Sequence, residues 1–338
     1  MSSSPSATTY EQEPILQVRG LKIYFPIQTG GLIRTTIPLK AVDDISFDLY
    51  PGETLGIVGE SGCGKSTLGR GILQLLEPTG GSVVWLGNRI EGLSSAEMKK
   101  YRKELQIIFQ DPLASLNPRM TIGDIIAEPL TVHFPELSTE ERKQKVREMM
   151  EQVGLLPLMI NRYPHEFSGG QCQRIGVARA MILRPKLIIC DEPVSALDVS
   201  IQAQIVNLIK GLQETFGLSL IFISHDLSIV RHISHRIMVL YLGNTVEVAD
   251  KEDLYKDPKH PYTKALISAV PLPDPVLEKN KKRLVLHGDL PSPLSPPSGC
   301  VFRTRCPLAQ DICAEQKPEI TKIGDTHQVA CHFWDHQE

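Results

Sequence analysis

Eight consecutive residues constrain the fold of this chain more than any other feature. Gly59-Glu60-Ser61-Gly62-Cys63-Gly64-Lys65-Ser66 fits the pattern G-x-x-x-x-G-K-[ST]. Residues 54–58 before them read as a short buried strand, and residues 66–75 after them read as a helix. Strand, glycine-rich loop and helix in that order is the setting a phosphate-binding loop needs. Glycines at 59, 62 and 64 let the backbone curl so that successive N–H groups face an anion. Lys65 can reach the terminal phosphates, the Ser66 hydroxyl can ligate Mg²⁺, and the helix N-terminus adds its positive end. The chain is therefore expected to bind a nucleoside triphosphate in a P-loop α/β domain.

The bulk numbers set few further limits. The 338 residues suffice for one large domain with an appendage. A hydrophobic share of 41% and a charged share of 22% are those of an ordinary globular protein. The net charge of −3 gives no pull toward nucleic acid. The basic clusters at 99–103 and 279–283 read as solvated faces or loops. No apolar run approaches the roughly 18 residues of a membrane-spanning helix. Residues 1–14 read as a disordered polar tail without the apolar core of a signal peptide. A cytosolic chain is expected, with any membrane role supplied by partners.

Strand-like stretches at 16–19 and 45–49 flank Gly30-Gly31 and a proline-bearing loop over 26–39, and another strand is expected at 82–86. From about 92 to 180 the composition turns helical, with helices expected at 97–103, 122–131 and 139–153. A buried strand at 187–190, a helix at 200–216 and a strand at 219–224 follow. Continuous apolar strands alternating with helices predict a mostly parallel sheet covered on both faces. Its ligands should sit at the carboxyl ends of the strands, where Gly59, Asp191 and Ser224 stand. Three regions result: the tail 1–14, a cassette over 15–250 with an inserted helical subdomain at about 92–180, and a loop-rich, proline-laden extension over 251–338.

The strand at 187–190 ends in two acids. Asp191 is placed to hold Mg²⁺, and Glu192 is the natural base to polarise an attacking water. Phe167-Ser168-Gly169-Gly170-Gln171 opens a helix and offers a second anion-binding nest. On these residues the chain resembles the nucleotide-binding subunits of ABC transporters, over roughly 15–334. The resemblance implies ATP and Mg²⁺ as cofactors, and assigns roles to further residues. Ser61, Gly62, Cys63, Gly64, Lys65, Ser66 and Thr67 would surround the phosphates, with Ser66, Gln110 and Asp191 around Mg²⁺. Gln110 would link the γ-phosphate to the helical subdomain, His225 would contact the γ-phosphate, and Ser195 to Asp198 would pair two subunits. Phe25, or failing that Tyr24, would stack on adenine. Cys172 departs from the polar residue usual after that Ser-Gly-Gly-Gln step, which should affect local packing more than chemistry.

Three segments, 114–120, 260–266 and 290–300, resemble the ATPases of oligopeptide/dipeptide permeases, and the loop over 26–39 resembles the F-type subunit. That implies a D-type paralogue as heterodimer partner, two membrane permease subunits and an extracellular peptide-binding protein, with no nucleic acid. The chain would sit peripherally on the cytoplasmic face of the membrane. Ser168, Gly169, Gly170 and Gln171 of one cassette would close over the nucleotide of the other. Nickel or glutathione is the alternative cargo for the same machine. A soluble ABC protein acting on DNA or ribosomes usually carries two cassettes or a coiled-coil insertion, and neither is seen here.

Seven cysteines are unevenly placed. Cys63, Cys172 and Cys190 are isolated and read as small buried apolar residues, although a thiol at a helix N-terminus, such as Cys63, should have a lowered pKa and some reactivity. Cys300, Cys306, Cys313 and Cys331 crowd the last 40 residues. A cytosolic setting turns that crowding toward metal rather than disulfides. A [4Fe–4S] cluster is the expectation, with zinc as the alternative although its tight Cys-x₂₋₄-Cys pairs are missing, and unmetallated thiols as the remainder. The motive is that residues 284–334 are short and proline-laden, and need a cross-link to hold a fold.

Overall fold

The computed structural model describes residues 13–29, 35–271, 278, 279, 281 and 283–335. The expected polar tail lies outside the described residues except for Glu13 and Pro14, and so do Gly30 and Gly31.

The chain opens with a long hairpin, β1 (Leu16–Thr29) and β2 (Thr35–Leu49). Residues 26–29 and 35–39 were expected in a loop but continue this hairpin, with Pro26 opposite Pro38 and Thr29 opposite Thr35. Two prolines fit because β1 meets its other neighbour, β4 (Gly80–Trp85), only as far as Lys22. Beyond that point both hairpin strands are edges, where a missing N–H costs no ladder bond, and the β-branched Ile27, Thr29, Thr35, Thr36 and Ile37 favour extended backbone. With β5 (Asn88–Arg89) these strands form an antiparallel sheet in the order β2-β1-β4-β5.

The second sheet is the scaffold of the site. β3 (Thr54–Val58), β6 (Leu105–Ile108), β7 (Leu187–Asp191), β8 (Ser219–Ile223) and β9 (Arg236–Tyr241) run parallel, in the order β9-β3-β8-β7-β6. All five residues of β3, β7 and β8 are buried, as expected of strands covered on both faces. The covering helices include α1 (Lys65–Ile72), α6 (Val199–Phe216) and α7 (Leu227–Ile233), while α2 (Ser95–Arg102) precedes β6. Gly217 ends α6 in a left-handed turn, φ 65°, that a side chain would strain.

Three helices make the inserted layer: α3 (Ile122–His133), α4 (Thr139–Gln152) and α5 (Gly169–Met181). Each starts on a hydroxyl cap. Thr121 accepts from Asp124 N, Ser138 forms a capping box with Glu141, and Ser168 forms one with Gln171. They share a core through Ile122, Ile126, Val146, Met150 and Ile175. Strand β6 belongs to the main sheet although it lies inside the span that reads as helical, because Leu105 to Ile108 pair with Leu187 to Cys190.

The C-terminal extension is joined to the cassette through backbone and core alike. Strand β10 (Asn244–Asp250) leads into α8 (Lys251–Lys256) and α9 (Pro261–Ala269), and after α10 (Asp311–Glu315) come β11 (Thr321–Lys322) and β12 (Gln328–Val329). β12 pairs with β10, and β11 with β12, so the extension lengthens the large sheet. Phe302, fully buried, packs its ring against Tyr241, Tyr262 and His260 at centroid distances of 5.2, 5.5 and 5.4 Å. Among the described residues no helix is long and apolar enough to cross a membrane.

Candidate nucleotide-binding site

The loop between β3 and α1 has the curled backbone its glycines permit. Gly64 caps α1 at φ 102°, and a Cβ there would lie 2.0 Å from the Ala41 carbonyl oxygen. At Gly59, φ 153°, a Cβ would lie 2.3 Å from the carbonyl oxygen of Leu240. No other residue fits either position. Ser61 and Gly62 are exposed at the tip, and Ser66 and Thr67 stand half-buried in the first turn of α1. Lys65 is buried and folds back over the loop, donating to the carbonyls of Gly59 at 2.8 Å and Glu60 at 3.1 Å.

The strand end of β7 brings the two acids to this loop. Ser66 Oγ donates to Asp191 Oδ1 at 2.5 Å. Asp191 Oδ2 is buried and accepts no hydrogen bond, with Arg70 Nη2 at 3.7 Å. Burial raises the Asp191 pKa, opposed by the Ser66 hydrogen bond and Arg70. An orphaned carboxylate oxygen beside a serine hydroxyl is a donor set that fits Mg²⁺. Glu192, one residue on, is reached from three directions. Gln110 Nε2 donates to its Oε2 at 3.0 Å, His225 Nδ1 stands 3.4 Å from Oε2, and Lys65 Nζ stands 4.0 Å from Oε1. Gln110, Asp191, Glu192, His225, Lys65 and Ser66 thus meet at the carboxyl end of the sheet.

Ser168, Gly169, Gly170 and Gln171 stand elsewhere. Ser168 and Gln171 close the cap of α5, Gly169 faces Leu197, and Gly170 lies so near Ile201 that a Cβ would meet its Cγ2 at 2.6 Å. That step therefore abuts the segment 195–198, which Gln202 holds through the carbonyls of Val194 and Leu197. Of the two aromatic candidates, Tyr24 donates its hydroxyl to Asp43 and lies under Lys40, whereas Phe25 packs at the rim of the core that includes Cys63.

Two expectations about cysteines are corrected. Cys63 is buried, and burial raises its pKa against the pull of Lys65, so the thiol is neither acidic nor accessible. Helix-terminus stabilisation of a thiolate fails because the side chain points into the core that holds Leu68 and Ile57. A metal group at Cys300, Cys306, Cys313 and Cys331, iron–sulfur cluster or zinc, is the second. Among the described residues no three His, Cys, Asp or Glu side chains form a group that could hold a metal ion. Nor does the extension lack other ties: His327, Phe302 and Arg305 pin it to the cassette. Cys172 and Cys190 are buried, and burial raises the pKa of each.

Sequence reasoning missed Tyr262 and Arg305, which tie the extension to the loop, and the buried Glu247, which ties the extension to β10. Glu247 accepts from Lys259 N, His260 N and His327 Nε2 at 2.7, 2.9 and 2.7 Å. An acid set between Val246 and Val248 within a strand was the available signal.

The description "ABC transporter" matches residues 42–195, which run from the end of the hairpin through the two acids. "Oligopeptide/dipeptide transporter, C-terminal region" matches residues 246–313. An oligopeptide transport ATP-binding protein of Haemophilus influenzae is 61% identical over 95% of this chain and 97% of its own length. The chain belongs to the ABC transporter ATP-binding family, in its peptide-transport branch. A Bacillus subtilis relative, also titled an oligopeptide transport ATP-binding protein, is 55% identical over 97% of this chain and 99% of its own. Among solved structures, a dimeric ATP-binding cassette in a post-hydrolysis state with ADP and Pi is similar at a TM-score of 0.62 and 28% identity. It covers 70% of this chain, and 98% of that cassette is matched.

Proposed function

We infer that this chain is the ATP-hydrolysing subunit that energises import of oligopeptides through a membrane ABC permease. The observation that carries the reading is the convergence of Lys65, Gln110 and His225 on Glu192, next to the Ser66–Asp191 pair. The loop's N–H groups and Lys65 bind the β- and γ-phosphates. Ser66, Asp191 and Gln110 would hold Mg²⁺, which neutralises charge on the transferring phosphoryl group. Glu192 accepts the proton of the attacking water, and His225 and Gln110 orient the γ-phosphate and that water. Phe25 takes the adenine, since the Tyr24 hydroxyl is engaged by Asp43.

The chain works in a pair. Ser168, Gly169, Gly170 and Gln171 stand at the 195–198 segment and not at their own phosphate loop, which suits a step that closes over a partner's nucleotide. The partner in this reading is a paralogous D-type cassette. The pair docks on two permease subunits at the cytoplasmic face of the membrane, fed by an extracellular peptide-binding protein. The cassette domain occupies 15–250 and the extension 251–338.

The deciding experiment is Glu192→Gln in the assembled transporter. ATP binding should persist while hydrolysis and peptide uptake fall at least about 100-fold, the range lost with a positioned base. Hydrolysis within a few-fold of the unmodified complex would overturn the assignment.

A further inference from the structure

Glu60 is the second residue of the phosphate loop, and the C-terminal extension grips it. Arg305 reaches across 245 positions of sequence to form a forked ion pair, Nη1 to Oε2 at 2.8 Å and Nη2 to Oε1 at 3.1 Å. The Arg305 side chain is 10% exposed and that of Glu60 28%. Arg305 Nη1 also lies 3.5 Å from the Tyr241 hydroxyl. From α9, the Tyr262 hydroxyl accepts the Glu60 backbone N–H at 2.9 Å. The Glu60 carbonyl meanwhile accepts from Lys65, the residue expected to turn toward phosphate. Both the charge and the backbone of one loop residue are thus held by residues 262 and 305, outside the cassette's own motifs.

We propose that Arg305 is a positioning residue for nucleotide binding, through which the C-terminal extension sets the affinity of the phosphate loop for ATP. The proposal rests on the reading that this loop holds the triphosphate. An acid on a phosphate loop opposes an anionic ligand, and a forked guanidinium cancels that charge while fixing the side chain. With Arg305 in place the loop presents N–H groups and Lys65 to the phosphates without a competing free carboxylate. Without it, Glu60 is an unpaired anion beside the ligand.

The test is equilibrium binding of MgATP and MgADP to the full-length chain by calorimetry, together with the melting temperature of the nucleotide-free protein. Unmodified protein that binds MgATP secures the underlying reading independently of the variants. Arg305→Met should weaken MgATP about tenfold and MgADP only about threefold, because MgADP carries one negative charge fewer. Arg305→Gln, neutral but still able to donate a hydrogen bond, carries the same expectation should Arg305→Met fail to fold. The double variant Arg305→Met/Glu60→Gln should recover most of the lost affinity, since no carboxylate is left unpaired. A purely structural pin would lower the melting temperature and move both nucleotides alike, and the second substitution would not rescue binding. Equal losses for MgATP and MgADP, or a double variant no better than the single, would overturn the proposal.

Discussion

Lowering the pH from 7.5 to 4.5 should destabilise this protein through His260, and the size of the effect follows from where that ring sits. His260 is 1% exposed, packed against Phe302, and its Nδ1 accepts the Tyr262 backbone N–H at 3.1 Å. Burial pushes its pKa from the ordinary 6.5 down to about 4, against the pull of Glu247. The unfolded chain therefore binds a proton below about pH 6.5 that the folded chain refuses until about pH 4, so stability falls as pH falls through that window. For those two values the difference at pH 4.5 is about 2.5 kcal/mol. His260→Asn isolates the contribution: its amide oxygen can still accept the Tyr262 N–H, but it cannot titrate here. Other groups of shifted pKa, among them His235 and Glu104, remain in both proteins and cancel. Urea unfolding followed by circular dichroism at pH 7.5, 6.5, 5.5 and 4.5 should show the unmodified chain losing about 2.5 kcal/mol more than the variant across the range. The smaller Asn lowers stability by a constant offset, which leaves the slopes comparable. Parallel lines, within about 0.5 kcal/mol, would refute the argument.

Glu247→Gln should cost about 3 kcal/mol, because it turns an amide donor toward a site built of three donors, Lys259 N, His260 N and His327 Nε2. Urea unfolding checks this, and a loss below about 1 kcal/mol would mean the hub is not rigid. Cys63 should alkylate far more slowly at pH 8 than an exposed cysteine, read by mass spectrometry of the loop peptide, since the thiol is both buried and raised in pKa. Modification at the rate of a free thiol would show that the loop opens.

The parts of the fold that the sequence made legible are those fixed by local pattern. Residues 54–58 and 219–223 are strands because continuous apolar runs between glycine and polar breakers leave little else, and both are buried throughout. The hairpin end at 26–39 was misread because Pro26 and Pro38 look like loop residues until β4 is known to stop at Lys22. Strand β6 was missed because four residues among helices gain their identity from pairing with β7. In the site, the loop and the two acids are legible from chemistry alone. Gln110 and His225 became candidates through family resemblance, as 82 positions separate Gln110 from the carboxylate it bonds. Arg305 and Tyr262 carry no local signal for their contacts with Glu60, because a long-range pair leaves no periodicity behind.

The end of β7 explains how one strand supplies two acids in different surroundings. Asp191 is the last residue in register, paired with Ile223, and its side chain is forced into the sheet–helix interface at 1% exposure. There it can keep a charge only beside donors or a cation, which the Ser66 hydroxyl begins to provide and an orphaned Oδ2 leaves open. Glu192 cannot continue the strand. Its backbone turns to φ 47°, a left-handed conformation that costs a non-glycine residue about 1 kcal/mol. Three hydrogen bonds hold that turn, from Glu192 N to the Ile223 carbonyl at 3.0 Å and from Ser195 Oγ and Ser195 N to the Glu192 carbonyl at 3.1 and 3.3 Å. The turn swings the second carboxylate out of the interface toward Gln110, His225 and Lys65. Strain at one residue thus separates the buried carboxylate proposed to hold a cation from the more accessible carboxylate proposed as the base, one peptide bond away. Ser195, the hydroxyl that holds the strain, opens the segment proposed to meet the partner cassette. Closure of the proposed pair would therefore act directly on the backbone that aims the Glu192 carboxylate.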